Sequence, residues 1–411
     1  MKPTMLAAGA SGKGKDAIRN LMGFMRLQAR LEANTPTFSK FLGLSVSPTE
    51  TKNGDKHAIV REDRFWILGR SSSSSKQQQQ QHQEQQQEQH QSLVFRYRFP
   101  PNDRLRHLDE TGRAHRCGPS LSTYTSILDE VTTLCIISAA KKNPRPGVSV
   151  TMQSQWGPGG ALLYGSSRNG PPLEEVDIVT TITKTGRTLG FVRAEVRDPS
   201  NNDSLICYFD HVKYLPTGWM FSTMLTPVGM RCLDLVLRYV VPFFNKRSSS
   251  NRNKDDEQNY NHAGIMDSFQ QTSDTTATFR WGAQHANGIG GLHGGVQAIL
   301  MERLGRTVAQ NELLKAKRTS SSNSIHNDVE CERLQVSYQS SASKGLELRA
   351  HVIDPPQPPD SPSTITLRIE ILRDGPKSSK DGSPKQPKRG KVVVSEGILT
   401  FVNVSSKTKD Q

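Results

Sequence analysis

The sequence predicts an α+β protein in which one structural plan occurs twice, and three observations lead there. A long apolar helix pattern at 121–140 is followed by four strand-like runs with no helix between them. The same order returns from residue 295 onward. The pieces are separated by polar tracts that can build no core. One long helix followed by several strands implies an antiparallel sheet wrapped on that helix. The duplication implies two such units in one chain.

The first helix runs from Leu121 to Ala140, and Tyr124, Leu128, Val131, Thr132 and Cys135 recur on one face at helical spacing. Strands are predicted at 147–156, 175–184, 189–197 and 204–214, with Thr185-Gly186-Arg187 as a turn. The second helix runs from about Gly295 to Lys315, with Val296, Ile299, Leu300, Leu304 and Val308 on its buried face. Strands are predicted at 329–338, 346–354, 364–373 and 391–404. Each unit also has a helix and strands upstream: 17–42 leading into 58–99, and 223–244 leading into 268–281. The tract SSSSSKQQQQQHQEQQQEQHQS at 71–92 lies between two strand-like pieces and is read as a disordered insertion within a unit. The resulting division is a tail and first helix region (1–57), a first unit (58–217), a helix and polar linker (218–264), a second unit (265–404) and a tail (405–411).

The chain has 411 residues, and its 53 Lys+Arg exceed its 39 Asp+Glu by 14. Such an excess suits a polyanionic partner or a phosphate-bearing small molecule, but much of it sits in polar stretches such as 246–254 and 377–391, where solvated tails explain it as well. Five cysteines with no CxxC pair argue against a disulfide framework and a structural zinc site. The eleven histidines show no metal-ligand spacing, so no metal is assigned. The most apolar run, 220–244, is broken by Arg231, Asp234, Arg238 and Pro242, which argues against a transmembrane helix. The basic, amphipathic start is compatible with a mitochondrial transit peptide, although Asp16 and Glu32 count against one. Cytoplasmic and mitochondrial locations therefore both stay open.

The informative stretch is Asn287-Gly288-Ile289-Gly290-Gly291-Leu292-His293-Gly294-Gly295, which opens directly into the second helix. A Gly-rich turn at a helix N-terminus leaves backbone N–H groups unpaired, with the positive end of the helix dipole behind them. It can hold a phosphate or a developing oxyanion. By itself it is as easily a tight turn and nothing more.

The pattern N-x-x-G-x-x-H-G-G, with an acidic residue nine positions after the His, resembles the hotdog-fold acyl-CoA thioesterases of the phenylacetate-pathway type. The match runs to Glu302. The first unit is similar through Ile127-Leu128-Asp129-Glu130, Arg145 to Thr151, Lys184 to Thr188 and His211 to Tyr214. The resemblance covers roughly 93–216 and 265–404. It implies a tandem hotdog, each unit a long central helix wrapped by an antiparallel sheet, with the two paired as an intramolecular pseudodimer. It implies further that each active site lies across the pair. One unit gives the Asn and the His-Gly-Gly turn, and the other gives a helix carboxylate and a strand hydroxyl. Coenzyme A then enters as part of the substrate, and no separate cofactor is implied.

The units depart from the pattern in complementary ways. Nine residues before Asp129 stands Ser120, followed by Leu121 and Ser122, so the first unit lacks His-Gly-Gly and keeps Asp129 and Ser149. The second keeps Asn287, His293, Gly294 and Gly295, while its acidic and strand positions are Glu302 and Cys331. One intact composite site is expected, with Gly294 N–H and Asn287 polarising a thioester carbonyl, His293 shaping the turn, and Asp129 and Ser149 facing them. The opposite site, Ser120 with Glu302 and Cys331, is expected to be weak or dead. Arg145 and Lys213 are candidates for the CoA phosphates at the site mouth, with Gly295 also on the substrate side. Each residue has a plainer role open to it: Asp129 as a solvated helix acid, Ser149 as a polar strand residue, Cys331 as a buried apolar thiol.

The function expected is hydrolysis of a fatty or aryl acyl-CoA to the free acid and CoA. A non-catalytic acyl-CoA-binding or scaffold protein is the alternative, and a hotdog dehydratase ranks below both. No nucleic-acid motif is seen. A dimer of the two-unit chain fits the way hotdog pairs associate again.

Overall fold

The structure, a computed structural model, describes residues 37, 38, 42, 65–71, 92–99, 119–139, 147–160, 173, 175–216, 228, 229, 232, 235, 266–287, 291–318, 329–342, 344–356, 364–375 and 390–403. The elements in chain order are β1 (Phe65–Ser71), β2 (Ser92–Phe99), α1 (Leu121–Ala139), β3 (Val148–Trp156), β4 (Val176–Thr185), β5 (Leu189–Asp198) and β6 (Ser204–Tyr214). There follow β7 (Gln270–Gln271), β8 (Thr276–Arg280), α2 (Gly294–Arg318), β9 (Val329–Tyr338), β10 (Gly345–Asp354), β11 (Thr364–Asp374) and β12 (Lys391–Asn403). The helices and the four strands after each fall within a few residues of their sequence-based bounds. The helix expected over 17–42, the one over 223–244 and the Ser/Gln tract lie largely or wholly outside the described residues.

The strands follow period-two chemistry. In β5, Gly190, Val192, Ala194 and Val196 are buried, while Phe191, Arg193, Glu195 and Arg197 face outward. In β11, Ile365, Leu367, Ile369 and Ile371 are buried. Leu372 follows Ile371 as a second consecutive buried residue because a register shift against β12 falls between them. Among the described residues all pairings are antiparallel and join one twelve-stranded sheet in the order β1-β2-β4-β5-β6-β3-β9-β12-β11-β10-β8-β7. The order reads the same from either end once β1–β6 are matched with β7–β12. The halves meet where β3 pairs with β9, centred on Gln153 opposite Gln335. A large antiparallel sheet with few helices fits a hotdog fold.

Helix α1 is buried almost all round, from Leu121 at 0% exposure to Ile137 at 0%, as a helix held between other elements must be. The five apolar positions expected on α2 are also buried, with Met301, Ala309 and Leu313 completing the face. The helices pack on one another as well as on the sheet. They meet at Gly295, where a Cβ would lie 2.5 Å from Ser126 Cβ, so any side chain there would push the helices apart. No described helix is long and apolar enough to cross a membrane.

Candidate active site

The two helix N-termini occupy matching places and are capped differently. Ser120 precedes α1: its carbonyl accepts the Tyr124 N–H at 3.0 Å and its Oγ accepts the Thr123 N–H at 3.2 Å, an ordinary serine cap. The next orphan donor, the Ser122 N–H, goes to Glu302 Oε2 from α2 at 2.8 Å. At α2 the cap residue is His293, whose carbonyl accepts the Gln297 N–H at 3.4 Å. Its ring Nδ1 accepts the Gly295 N–H at 2.9 Å. Gly295 and Ser122 each stand two residues after their cap. The donor that a carboxylate satisfies on one side is therefore satisfied on the other by the imidazole, and Asp129, the counterpart of Glu302, is left free of that duty.

Asp129 lies on α1, 5% exposed, and reaches the start of α2. Its Oδ1 accepts the Ser149 hydroxyl at 2.8 Å and the Lys213 ammonium at 3.0 Å. Its Oδ2 takes no hydrogen bond among the described residues and faces α2, 3.6 Å from His293 Nδ1 and 2.8 Å from the Cβ position of Gly294. The Gly294 N–H also has no hydrogen-bond partner among the described residues. The Gly294 carbonyl accepts the Tyr338 hydroxyl at 2.9 Å, which fixes the peptide from β9. The Phe38 ring packs on His293 with centroids 5.0 Å apart.

Burial by itself would raise the Asp129 carboxyl. The adjacent Lys213 ammonium, helped by the Ser149 hydrogen bond, outweighs burial and holds it well below the usual carboxylate range. His211 adds little positive charge. Burial pushes its pKa well below the ordinary value and Lys213 pushes the same way, with Asp129 opposing, so the ring is neutral. The Thr132 hydroxyl donates to Leu128 O at 2.6 Å and so accepts from His211 Nδ1 at 2.8 Å. The bare Nε2 is then left 3.6 Å from Asp129 Oδ1 without a hydrogen bond. Burial, reinforced by Asp129, raises the Tyr338 phenol well above its usual value, so it stays a neutral donor.

The structure thus brings Asp129, Ser149, His293, Gly294 and Gly295 into one cluster drawn from α1, β3 and the start of α2. Asn287 stands at the base of the glycine loop, its Oδ1 accepting the Gly291 N–H at 2.9 Å, so its carboxamide is held by the loop rather than by Asp129. Lys213 differs from expectation. It is 1% exposed with its ammonium on Asp129, so it is not a phosphate ligand at the site mouth. Its β6 position shares the inward parity of Cys207, Phe209 and His211, and that alternation was the signal available in the sequence. Arg145 lies outside the described residues. His211 and Tyr338 join the cluster although the sequence singled out neither for the site.

The opposite place is built otherwise. Cys331 stands four residues before Gln335, as Ser149 stands four before Gln153, so the two are counterparts across the β3–β9 pair. Ser149 pairs with Lys213 where Cys331 pairs with Phe401; Met152 pairs with His211 where Leu334 pairs with Leu399. The polar pair beside Asp129 is replaced by two apolar side chains. Glu302 is bound by Arg306, which also bridges Glu330 at 3.1 Å. Burial, with Glu302 and Glu330 next, pushes the Cys331 thiol well above its normal value, so it is no thiolate nucleophile. Ser120 is engaged as a helix cap.

No protein-family model matches the chain, and no curated protein sequence does. The chain is similar to solved thioesterase structures. The 12:0-ACP thioesterase from Umbellularia californica is 12% identical with a TM-score of 0.36, over 75% of this chain and 96% of that one. An acyl-ACP thioesterase from Bacteroides thetaiotaomicron is 11% identical at 0.35, over 75% and 97%. An acyl-CoA thioesterase II from Mycobacterium marinum is 8% identical at 0.36, over 75% and 91%.

Proposed function

We propose that the chain is an acyl-CoA thioesterase with one working site between two hotdog units, paired as an intramolecular pseudodimer. One observation carries the reading: an ionised, buried carboxylate on α1 turns Oδ2 to the glycine start of α2, and among the described residues neither that oxygen nor the Gly294 N–H has a hydrogen-bond partner.

Those two groups supply what thioester hydrolysis requires. The Gly294 N–H, at the positive end of α2, polarises the carbonyl oxygen and stabilises the charge that develops on it. Asp129 Oδ2 either deprotonates a water that attacks the carbonyl carbon, or attacks it directly to form an acyl anhydride that water then hydrolyses; in both the C–S bond breaks and the CoA thiolate leaves. Ser149 steadies the carboxylate through Oδ1. His293 occupies the Gly295 N–H and so keeps Asp129 from becoming a helix cap. Asn287 shapes the loop that carries Gly294. Coenzyme A belongs to the substrate, and no resident cofactor is invoked.

The place around Ser120, Glu302 and Cys331 serves structure in this reading. It has no glycine turn, both Glu302 oxygens are engaged, and its hydroxyl and ammonium counterparts are a thiol and a phenyl ring. The test is CoA release from acyl-CoAs of short to long chain by the folded wild-type protein. Turnover on part of the series is expected, and failure on every chain length overturns the assignment.

A further inference from the structure

We infer that Lys213 is a positioning residue that clamps Asp129 by Oδ1, so that Oδ2 alone is presented for reaction. The inference rests on the thioesterase reading and adds to it the choice of reacting oxygen.

Four observations carry it. First, Oδ1 holds two donors, the Lys213 ammonium at 3.0 Å and the Ser149 hydroxyl at 2.8 Å, and these donors also touch each other at 3.3 Å. A carboxylate pinned at one oxygen turns about that point, and the donors on β3 and β6 fix the turn so that Oδ2 points at α2. Second, the lysine stem is built into the fold. A Cβ on Gly147 would lie 2.6 Å from Lys213 Cδ and 2.7 Å from its Cβ, so the chain is cleared along the stem. Third, the equivalent position in the other half is Phe401, 1% exposed. The fold accepts an apolar ring there, so a buried ammonium is not demanded by packing. Fourth, the ammonium occurs in the half that supplies Asp129 to the glycine turn, and is missing where Glu302 caps a helix. Burying two opposite charges is a weak source of stability, so a lysine held there is explained by what it does to its partner.

The groups facing Asp129 come from every element packed on it. They are Lys213 and His211 on β6, Ser149 on β3, His293 on α2 and Tyr338 on β9, with Glu130 beside them at 4.0 Å from His293 Nε2. His211 and Tyr338 are neutral. His293 uses Nδ1 to accept the Gly295 N–H, so that atom has no proton to offer Oδ2. Lys213 is thus the cation in direct contact with the carboxylate.

The test compares wild type with Lys213→Met, a chain of similar length without charge. Two readouts are taken: the pH dependence of kcat/KM, and Asp129 ionisation from infrared carboxylate spectra, each protein minus its Asp129→Asn version. The expected result is an Asp129 ionised throughout the working range in wild type. In Lys213→Met the carboxyl titration and the acid limb of kcat/KM should rise together by about one pH unit or more, with kcat reduced and KM little changed. A uniform loss of rate with both titrations unmoved overturns the inference. If Lys213→Met does not fold, wild type labelled at lysine Nζ with 15N decides: one slowly exchanging ammonium signal, lost in Asp129→Asn, is expected, and its absence overturns the pairing. No turnover by wild type while its Asp129 stays ionised as expected overturns the thioesterase reading; turnover with an unmoved acid limb in Lys213→Met overturns the clamp alone.

Discussion

Asp129 Oδ2 lies 2.8 Å from the place where a Cβ would stand on Gly294, so the carboxylate of one helix meets the first residue of the other with no side chain between them. Adding a methyl group there forces the two apart. Gly294→Ala is expected to lower kcat/KM by about 10²-fold or more, the size associated with disturbing an oxyanion donor, while the circular dichroism spectrum stays that of wild type. Activity within twofold of wild type would mean that this contact is not where the reaction occurs.

Arg306 stands between two buried carboxylates, Glu302 and Glu330. Removing it leaves both without their cation. Breaking a buried pair by deleting one partner typically costs about 3–5 kcal/mol. Arg306→Ala should therefore unfold at clearly lower urea concentration than wild type, with little change in the m-value. Unchanged stability would show that the triad contributes nothing to the fold.

His211 makes the pH dependence of stability testable. Its folded pKa lies below its unfolded value, because burial and Lys213 disfavour the charged ring. Just below the unfolded pKa of about 6.5, the unfolded chain binds the proton and the native state does not. Stability is thus complete above that value and falls as the pH drops beneath it. His211→Leu, which copies Leu399 in the other half, removes this proton. Urea unfolding at pH 7.5 and 5.5 should show a loss in wild type that is reduced in the variant; equal losses contradict a neutral buried ring.

The thiols should divide by burial. Cys135, Cys207 and Cys331 are buried and Cys232 is exposed. Burial pushes the Cys135 thiol up to about 12, Cys207 higher, and Cys331 well above normal. Among these four, iodoacetamide should label Cys232 in the native chain and leave the others until denaturant is added. Peptide mapping by mass spectrometry reads this directly. Rapid native labelling of Cys331 would reopen a nucleophilic role for it.

Much of this arrangement was legible in the residues. The apolar period of 3.6 gave both helices, and the strand-like runs between polar tracts gave the four strands after each of them. The spacing of the motif that carries the family resemblance, with an acid nine residues after the His position and a hydroxyl on the next strand, set Ser120, Asp129 and Ser149 against His293, Glu302 and Cys331. The placement of Cys331 opposite Ser149 follows from β-pairing about Gln153 and Gln335. Lys213 was misread because a lysine suggests surface; the parity shared with Cys207, Phe209 and His211 outranks that preference once a carboxylate waits inside. Tyr338 could not be found from spacing, since its contact with the Gly294 carbonyl is made between β9 and α2, 44 residues apart.

In the proposed function, one of the two matching places is a reaction site and the other a structural joint. The most direct measurement is CoA release by Asp129→Asn and Glu302→Gln, on the acyl-CoA that wild type hydrolyses best and with folding verified for both. A loss of about 10²-fold or more is expected for Asp129→Asn, as for removal of a general base or nucleophile, and a rate within about threefold of wild type for Glu302→Gln. Equal losses in both variants, or a greater loss in Glu302→Gln, would contradict it.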